Sequence, residues 1–543
     1  MTLAGQPILI LKEGTTRTRG RTAQKNNIAA AKIIAEMIKT TLGPKGMDKI
    51  LVDSIGDVVV TNDGATIMEK MDVEHPAAKM IVEVAKTQDH IVGDGTTTAV
   101  VLVGELLKKA EELIEQKIHP STVISGYKRA LDLAFNRLNE VAMKVQLSDR
   151  DTLRNIVKTC LSSKSLGFAT DHITDIAIDA VLSIVRQEND KLKADKEDIQ
   201  IVKKIGKSLL ESQLIKGVIV DKEVVHAAMP KRVENAKIAL LDAAFEIEKT
   251  EFSAEIRIRD PTKIKEFLDE ETRILKEMVD KVVKVGANVV FCQKGIDDAA
   301  QFFLAKAGVM AVRRVKKSDM EKLAKATGGR IITNFEDLSS KDLGEAGLVE
   351  ERKIGEDRMV FVERCKNPKS VAILVRAGLE RQLEEAERAL NDAIMNVINV
   401  TQDSRMVAGG GAVETELAKH IRNNASRYPG KEQLAMLSYA DTLEVIPKVL
   451  AENAGLDPID VTTSLRKKHA EDGITYGINL TTGSVEDMLK LGVLEPIRVK
   501  EHALKSSFEA AAMILRIDDV VAASKKKEEK KPPAGEEGAG LGD

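Results

Sequence analysis

Tryptophan is absent from this chain, and tyrosine and phenylalanine number only 4 and 11. Proteins that hold single-stranded nucleic acid stack bases on aromatic rings beside cationic side chains, and no such cluster occurs here. A net basic field is missing too. Lysine plus arginine count 82 against 85 acidic residues, a formal charge of −3, which excludes a nucleic-acid coat or a membrane-surface protein. Cysteine occurs three times, as Cys160, Cys292 and Cys365, with no CxxC pair. Reduced thiols in a reducing compartment are expected. The eight histidines are scattered without an HExxH motif, so no structural zinc is expected. No apolar run approaches the ~18 residues of a transmembrane helix. The first residues, MTLAGQPILILKEG, carry no cationic leader, so no secretory signal is expected and the expected location is cytoplasmic. No tandem repeat is present, which excludes a solenoid.

What is present is bulk. The chain has 543 residues, 43% of them hydrophobic, enough for roughly three to four domains. Ile28, Ala31, Ile34, Ile38 and Leu42 recur at helical spacing and predict a helix over 24–42 that Gly43-Pro44 stops. Residues 49–53 and 57–61 read as a hairpin with Gly56 in its turn. Long helices are expected over 76–91 and 97–117, joined by Gly93-Asp94-Gly95-Thr96, and helix again from about 150 to 200. Between 216 and 370 the pattern becomes α/β: short apolar runs alternate with helices, and 288–315 reads strand, helix, strand. Ser318 to Glu321 has the form of a capping box, and Gly328-Gly329 ends the helix it would open. From 371 onward helices dominate again. Residues 524–543 lack apolar content and are expected to be disordered. Within 245–285, Ile264, Phe267, Leu268, Ile274, Leu275 and Met278 form a helical stripe. That segment reads either as a helix covering the α/β unit or as a projecting arm whose stripe meets a partner.

Neither common phosphate fingerprint is complete. Gly206-Lys207-Ser208 ends like a Walker A loop, but Ile201 stands where its first glycine belongs. Gly93-x-Gly95 follows a predicted helix, unlike a Rossmann turn. Other phosphate-binding backbones are available. Gly93 to Thr98 enters a helix, where free N–H groups and hydroxyls can meet an anion, and Asp94 could take Mg²⁺, which prefers one or two carboxylates plus phosphate oxygens. The same residues also read as a capped turn between helices. Thr41 to Gly46, Thr61 to Gly64 and Gly409 to Gly411 are further glycine-bearing turns. Asp392, inside a helical run, reads by itself as a solvated face residue.

The motifs LGPKGMDKIL (42–51), VVVTNDGATI (58–67), EHPAAKM (74–80), GDGTTTAVVL (93–102), FCQKGIDDAA (291–300), KATGG (325–329), GGGAVETEL (409–417) and LAENAGLDP (450–458) resemble those of group II chaperonins of the archaeal thermosome type. The resemblance runs from about Gly20 to about Ala523. It implies an α+β multidomain subunit: a mostly helical equatorial ATPase domain from 1–150 and 406–523, a small α/β intermediate domain from 151–217 and 371–405, and an α/β apical domain over 218–370 with a helical protrusion at about 245–285. It implies an ATP-dependent chaperone that encloses non-native proteins, in a homo- or hetero-oligomeric double ring of eight or nine subunits per ring, with ATP and Mg²⁺ and with no nucleic acid or membrane partner.

By the same resemblance, Thr41, Leu42, Gly43 and Pro44 contact phosphate and base, Asp94 binds Mg²⁺, and Gly95, Thr96, Thr97 and Thr98 cradle phosphate. Gly410, Asn479 and Glu495 are the remaining nucleotide contacts. Asp392 orients the attacking water, Asp63 is a second carboxylate at the reacting phosphate, and Lys164 senses the γ-phosphate. The chain departs from the family pattern at Ala408, Asn391 and Arg376-Ala377-Gly378, none of which is a proposed catalytic group. Two other readings compete. A kinase or ligase would need an acceptor pocket, for which no residues stand out. A scaffold without turnover would not need Asp63, Asp94 and Asp392.

Overall fold

The stripe Ile28, Ala31, Ile34, Ile38 lies buried along the helix Gly20–Lys39, which packs against the long apolar helix Thr96–Glu115. The computed structural model describes residues 16–53, 55–189, 191–247, 261–366 and 368–522. The expected tail at 524–543, and residues 248–260 of the arm, lie outside the described residues.

Among the described residues three large hydrophobic cores stand out beside two small clusters, and two of the three draw on both halves of the chain. The first joins helices between Ile28 and Leu138 to helices between Val407 and Leu515. The second is continuous in sequence, from Val218 to Cys365. The third joins Val145 to Ile199 with Val371 to Met406. The described ends meet on the first core, where Thr16–Arg19 pairs antiparallel with Asp519–Ala522 and Arg17 is ion-paired to Asp519.

The second core wraps a seven-stranded sheet. Its central strand, Arg232–Leu241, runs parallel to Val289–Cys292, which runs parallel to Met310–Val312. A fourth parallel strand, Ile331–Ile332, pairs with Leu240 and Leu241, and all four are apolar where they pair, as strands covered on both faces must be. On the other side, Gly344–Ile354, Asp357–Glu363 and Val218–Val220 add antiparallel strands. The expected strand–helix–strand unit is present, with the helix Asp298–Lys306 between its strands.

Several expectations need correction. The first helix ends at Lys39, before Leu42, because Thr41 turns its hydroxyl back on the Ile38 carbonyl at 2.8 Å and Asn453 caps the Lys39 and Leu42 carbonyls. Residues 150–200 are helical only as far as Ile184. A hairpin follows, Arg186–Glu188 with Lys191–Lys193. Then Ile199–Ile205 pairs parallel with Val371–Ala377, a strand also expected as helix. Short apolar runs such as VAILVRA do not distinguish buried strand from helix by periodicity. The capping box at Ser318 does not form: the helix Lys317–Thr327 starts two residues earlier, with Lys316 rather than Ser318 at its N-cap, although Gly328 does end it with a left-handed φ of 75°.

The segment expected as an arm is split. Its helix, Pro261–Lys284, begins at the proline as predicted. Leu275, Val279 and Val282 are buried in the second core, so this end of the helix is an anchored part of it. The side chains of Ile264, Phe267 and Leu268 lie outside the described residues. The three cysteines are free. Among the described residues no helix is long and apolar enough to cross a membrane.

Candidate active site

The hairpin Lys49–Val52 with Val58–Thr61 delivers Asp63 to the start of a short helix, Gly64–Lys70. Asp63 caps that helix: one carboxylate oxygen accepts from the Thr66 N–H at 2.9 Å and from its hydroxyl at 2.7 Å. The other faces the Lys164 ammonium at 3.2 Å. Lys164 follows the helix Arg150–Leu161 of the third core, and Asn62 holds its loop by donating to the Ser163 carbonyl. Asp392 comes from the middle of the helix Glu380–Gln402 and meets Lys164 at 2.9 Å. Three segments more than a hundred residues apart thus place one buried ammonium between two carboxylates, all with side chains at most 12% exposed.

Burial and charge act differently on the three groups. Burial opposes ionisation of Asp63, but Lys164 and the Thr66 hydrogen bonds outweigh it and hold this carboxyl below the usual carboxylate range. Burial pushes the Asp392 carboxyl well above that range, and Asp63 and Asp94 add to the push against the opposing pull of Lys164. Burial works against the Lys164 charge, yet Asp392 and Asp63 together keep it firmly protonated. One cation between two anions therefore leaves Asp392 as the more basic carboxylate. Asp89, which the sequence reading passed over, is another neighbour whose carboxyl is raised, by burial first and then by Asp63.

Asp94 sits between two glycines with left-handed backbones, at the N-terminus of Thr96–Glu115. One of its oxygens accepts from the Gly95 N–H at 2.6 Å, the other from the Asn396 amide at 3.1 Å. A side chain at Gly93 could not fit, since a Cβ there would lie 2.3 Å from the Met395 Cβ. The helix bearing Asp392 thus presses directly on the Asp94 loop. Asn399 fastens it further by donating to the Val92 carbonyl at 2.8 Å. No side chain caps the Thr96 helix, leaving first-turn N–H groups for an anion. The helix Ala412–Ala425 likewise starts without a side-chain cap, behind Gly410 and Gly411.

Asp63, Asp94, Lys164, Asp392, Gly95, Thr96 and Gly410 line one cavity of about 410 Å³, together with Thr41, Leu42, Gly43, Pro44, Thr97, Thr98, Asn479 and Glu495. Every residue that the resemblance assigns to the nucleotide, the metal or catalysis is therefore at this cavity. Spacing alone did not indicate several others: Asn155, Thr159, Cys160 and Lys500 at its wall, and Asn396, Asn399 and Gln88 behind it. Lys500 is bound between Glu414 at 2.7 Å and Glu495 at 2.8 Å. Asn396 and Asn399 carried a usable signal. They lie at helical spacing from Asp392 inside a run where Ala393 to Val400 is wholly buried, and a buried amide must find partners.

The fit of a nucleotide and a metal can be judged from these donors. Glycine-lined, uncapped helix ends meet in a cavity of ligand size. Among the described residues no set of three or more His, Cys, Asp or Glu side chains forms a closed metal cage. A lone carboxylate at a phosphate-binding loop suits Mg²⁺, which takes few protein ligands and completes its shell with phosphate and water.

Residues 34–525 match the model of the TCP-1/cpn60 chaperonin family. The chain belongs to that family. This chaperonin is 56% identical over 519 residues to thermosome subunit alpha of Archaeoglobus fulgidus, covering 96% of this chain and 95% of the relative. Thermosome subunit beta of Sulfolobus acidocaldarius is 56% identical over 517 residues, with 95% and 94% coverage. The thermosome subunit of Pyrococcus horikoshii is 56% identical over 518 residues, with the same coverage. The chaperonin is of the ATP-dependent group II type, and its enzymatic reaction is ATP hydrolysis.

Proposed function

We propose that the cavity is the MgATP hydrolysis site of this chaperonin, and that movement between the cores couples it to enclosure of non-native proteins. The observation that carries this is the meeting of Asp63, Asp94, Lys164 and Asp392, which come from two cores, around one cavity. We assign the first core to an equatorial domain (1–150 and 406–523), the third to an intermediate domain (151–217 and 371–405) and the second to an apical domain (218–370).

In this reading Thr41 to Pro44, Gly95 to Thr98, Gly410, Asn479 and Glu495 hold the nucleotide, and Asp94 holds Mg²⁺. Bound Mg²⁺ would supply charge neutralisation at the phosphates, which phosphoryl transfer needs more than covalent chemistry. The protein's own groups do the rest. Lys164 can exchange a carboxylate partner for a γ-phosphate, and so distinguishes ATP from ADP. Asp392, the more basic carboxylate, orients water and accepts its proton. Because Asp392 rides on the third core and Asp94 on the loop below it, closure between these cores completes the site, as substrate-driven closure does elsewhere.

The assembly we infer is a closed ring of this chain, alone or with sister subunits, stacked as a double ring of eight or nine subunits per ring, in the cytoplasm. Its clients are proteins with exposed apolar surface. Asp94→Asn tests the metal assignment: MgATP affinity should fall while metal-free ATP affinity stays the same. Unchanged affinity across a Mg²⁺ series would remove Asp94 from the metal site.

The helical arm is assigned to lid closure. Replacing 248–272 with a glycine linker, which spares the anchored Leu275, Val279 and Val282, should leave ATP hydrolysis in place. ATP-induced protection of an enclosed client from protease should be lost. A trimmed assembly that still shields its client would reduce the segment to a cover on the apical core.

A further inference from the structure

Behind the Asp94 loop lies a side chain that the catalytic reading does not use. Gln88 is fully buried on the helix Pro76–Val92, in line with the apolar stripe of Ile81, Ala85 and Val92. Its amide nitrogen lies 2.8 Å from the Asp94 carbonyl and 3.4 Å from the Val499 carbonyl. Both partners can only accept, so the nitrogen must face them and the amide oxygen must point the other way. That oxygen lies 2.6 Å from Nδ1 of His502. An amide oxygen cannot donate, so His502 carries a proton on Nδ1.

The chain of donors therefore runs in one direction, from the His502 N–H to the Gln88 oxygen and from the Gln88 N–H to the Asp94 carbonyl. The Gln88 nitrogen also lies against Gly95, where an added Cβ would come within 3.1 Å of it. Gln88 thus braces the Asp94–Gly95 peptide from behind. His502 lines a second, open cavity of about 480 Å³ beside Arg498 and Lys505, so the outer end of the chain reaches the surface.

We propose that Gln88 and His502 are positioning residues for the metal site: His502 fixes the Gln88 amide, and Gln88 fixes the Asp94 peptide so that its carboxylate faces the phosphate pocket. This rests on the assignment of Asp94 to Mg²⁺. A buried amide held at both ends cannot rotate, and it holds the Asp94 carbonyl from behind while the Gly95 N–H and Asn396 hold the carboxylate in front. Partners behind a metal ligand commonly govern metal affinity by about 10- to 100-fold.

The test uses the assembled full-length protein and reads binding rather than turnover. ADP affinity is measured by calorimetry across a Mg²⁺ series for wild type, His502→Leu, His502→Asn, Gln88→Leu and Asp94→Asn. His502→Leu and Gln88→Leu should raise the Mg²⁺ concentration needed for tight ADP binding by about 10-fold, with metal-free ADP affinity unchanged. His502→Asn, whose amide nitrogen overlays Nδ1, should restore it to within about two-fold. Amide hydrogen exchange at Gly95 and Thr96 should quicken in His502→Leu even without nucleotide.

If Gln88→Leu fails to assemble, the His502→Leu and His502→Asn pair carries the test alone. A raised Mg²⁺ requirement in Asp94→Asn, with none in His502→Leu, overturns the relay and leaves the metal site standing. An unchanged requirement in Asp94→Asn overturns both. A loss of melting temperature in His502→Leu without any shift in Mg²⁺ requirement makes the chain a purely structural contact, which also overturns it.

Discussion

Asp392→Asn should bind MgATP and turn it over at least ~10²-fold more slowly, the scale of losing a positioned general base. The group acts on water rather than on ground-state nucleotide, so affinity should be retained. The same substitution should stabilise the subunit. The folded protein raises the proton affinity of Asp392, chiefly by burial. Such a group adds stability below its unfolded pKa, and that contribution is lost as pH rises through the raised folded value. At higher pH the wild type carries the cost of an ionised buried carboxylate and the asparagine variant does not. The gain in Tm should therefore grow with pH above the carboxylate range and vanish in acid. Steady-state hydrolysis and melting curves across pH check both halves. Near-normal turnover would remove Asp392 from the water-orienting role. A lower Tm at neutral pH would mean that its bond to Lys164 outweighs its burial.

Lys164→Ala should have a different signature. It removes the cation that lies within 3.2 Å of Asp63 and 2.9 Å of Asp392. Two buried carboxylates then face each other without compensation, and breaking such a buried pair costs about 3–5 kcal/mol. The sign for Asp63 is opposite to that for Asp392. Its carboxyl is held low in the folded state, so its contribution to stability is present above the ordinary carboxylate range and is lost as pH falls through the depressed value. The destabilisation by Lys164→Ala should therefore be large at neutral pH and shrink in acid. ADP affinity should stay close to wild type while the preference for ATP weakens, because a group that meets only the γ-phosphate has no differential interaction with ADP. Denaturant melts at several pH values, with ATP and ADP titrations, separate these effects. Equal weakening of both nucleotides would make Lys164 a general phosphate contact.

The glycine turns and the helices they punctuate were legible in sequence, because a glycine at a helix end has a local cause. The left-handed backbones at Gly93, Gly95 and Gly328 and the helix start at Pro261 follow from neighbouring residues alone. Asp392 was not legible that way. On its helix it resembles any mid-helix carboxylate, and only the resemblance to a known family drew it into the site. Its burial comes from packing against a loop some three hundred residues earlier, which no local pattern encodes. The strand Val371–Ala377 stood where helices were expected to dominate, for the same reason: its parallel pairing with Ile199–Ile205 is made by partners far apart in the chain. Gln88 did leave a trace, as an amide on an otherwise apolar helical stripe, but nothing in the sequence indicates that His502 is its partner.

The central claim is that hydrolysis at this cavity drives protein folding. The most direct measurement is the recovery of activity by a chemically unfolded reporter enzyme incubated with the purified assembly, with and without MgATP, alongside the Asp392→Asn assembly. Recovery should require MgATP with the wild type and fall to the spontaneous level with Asp392→Asn. Equal recovery without nucleotide, or full recovery by the Asp392→Asn assembly, would contradict the account.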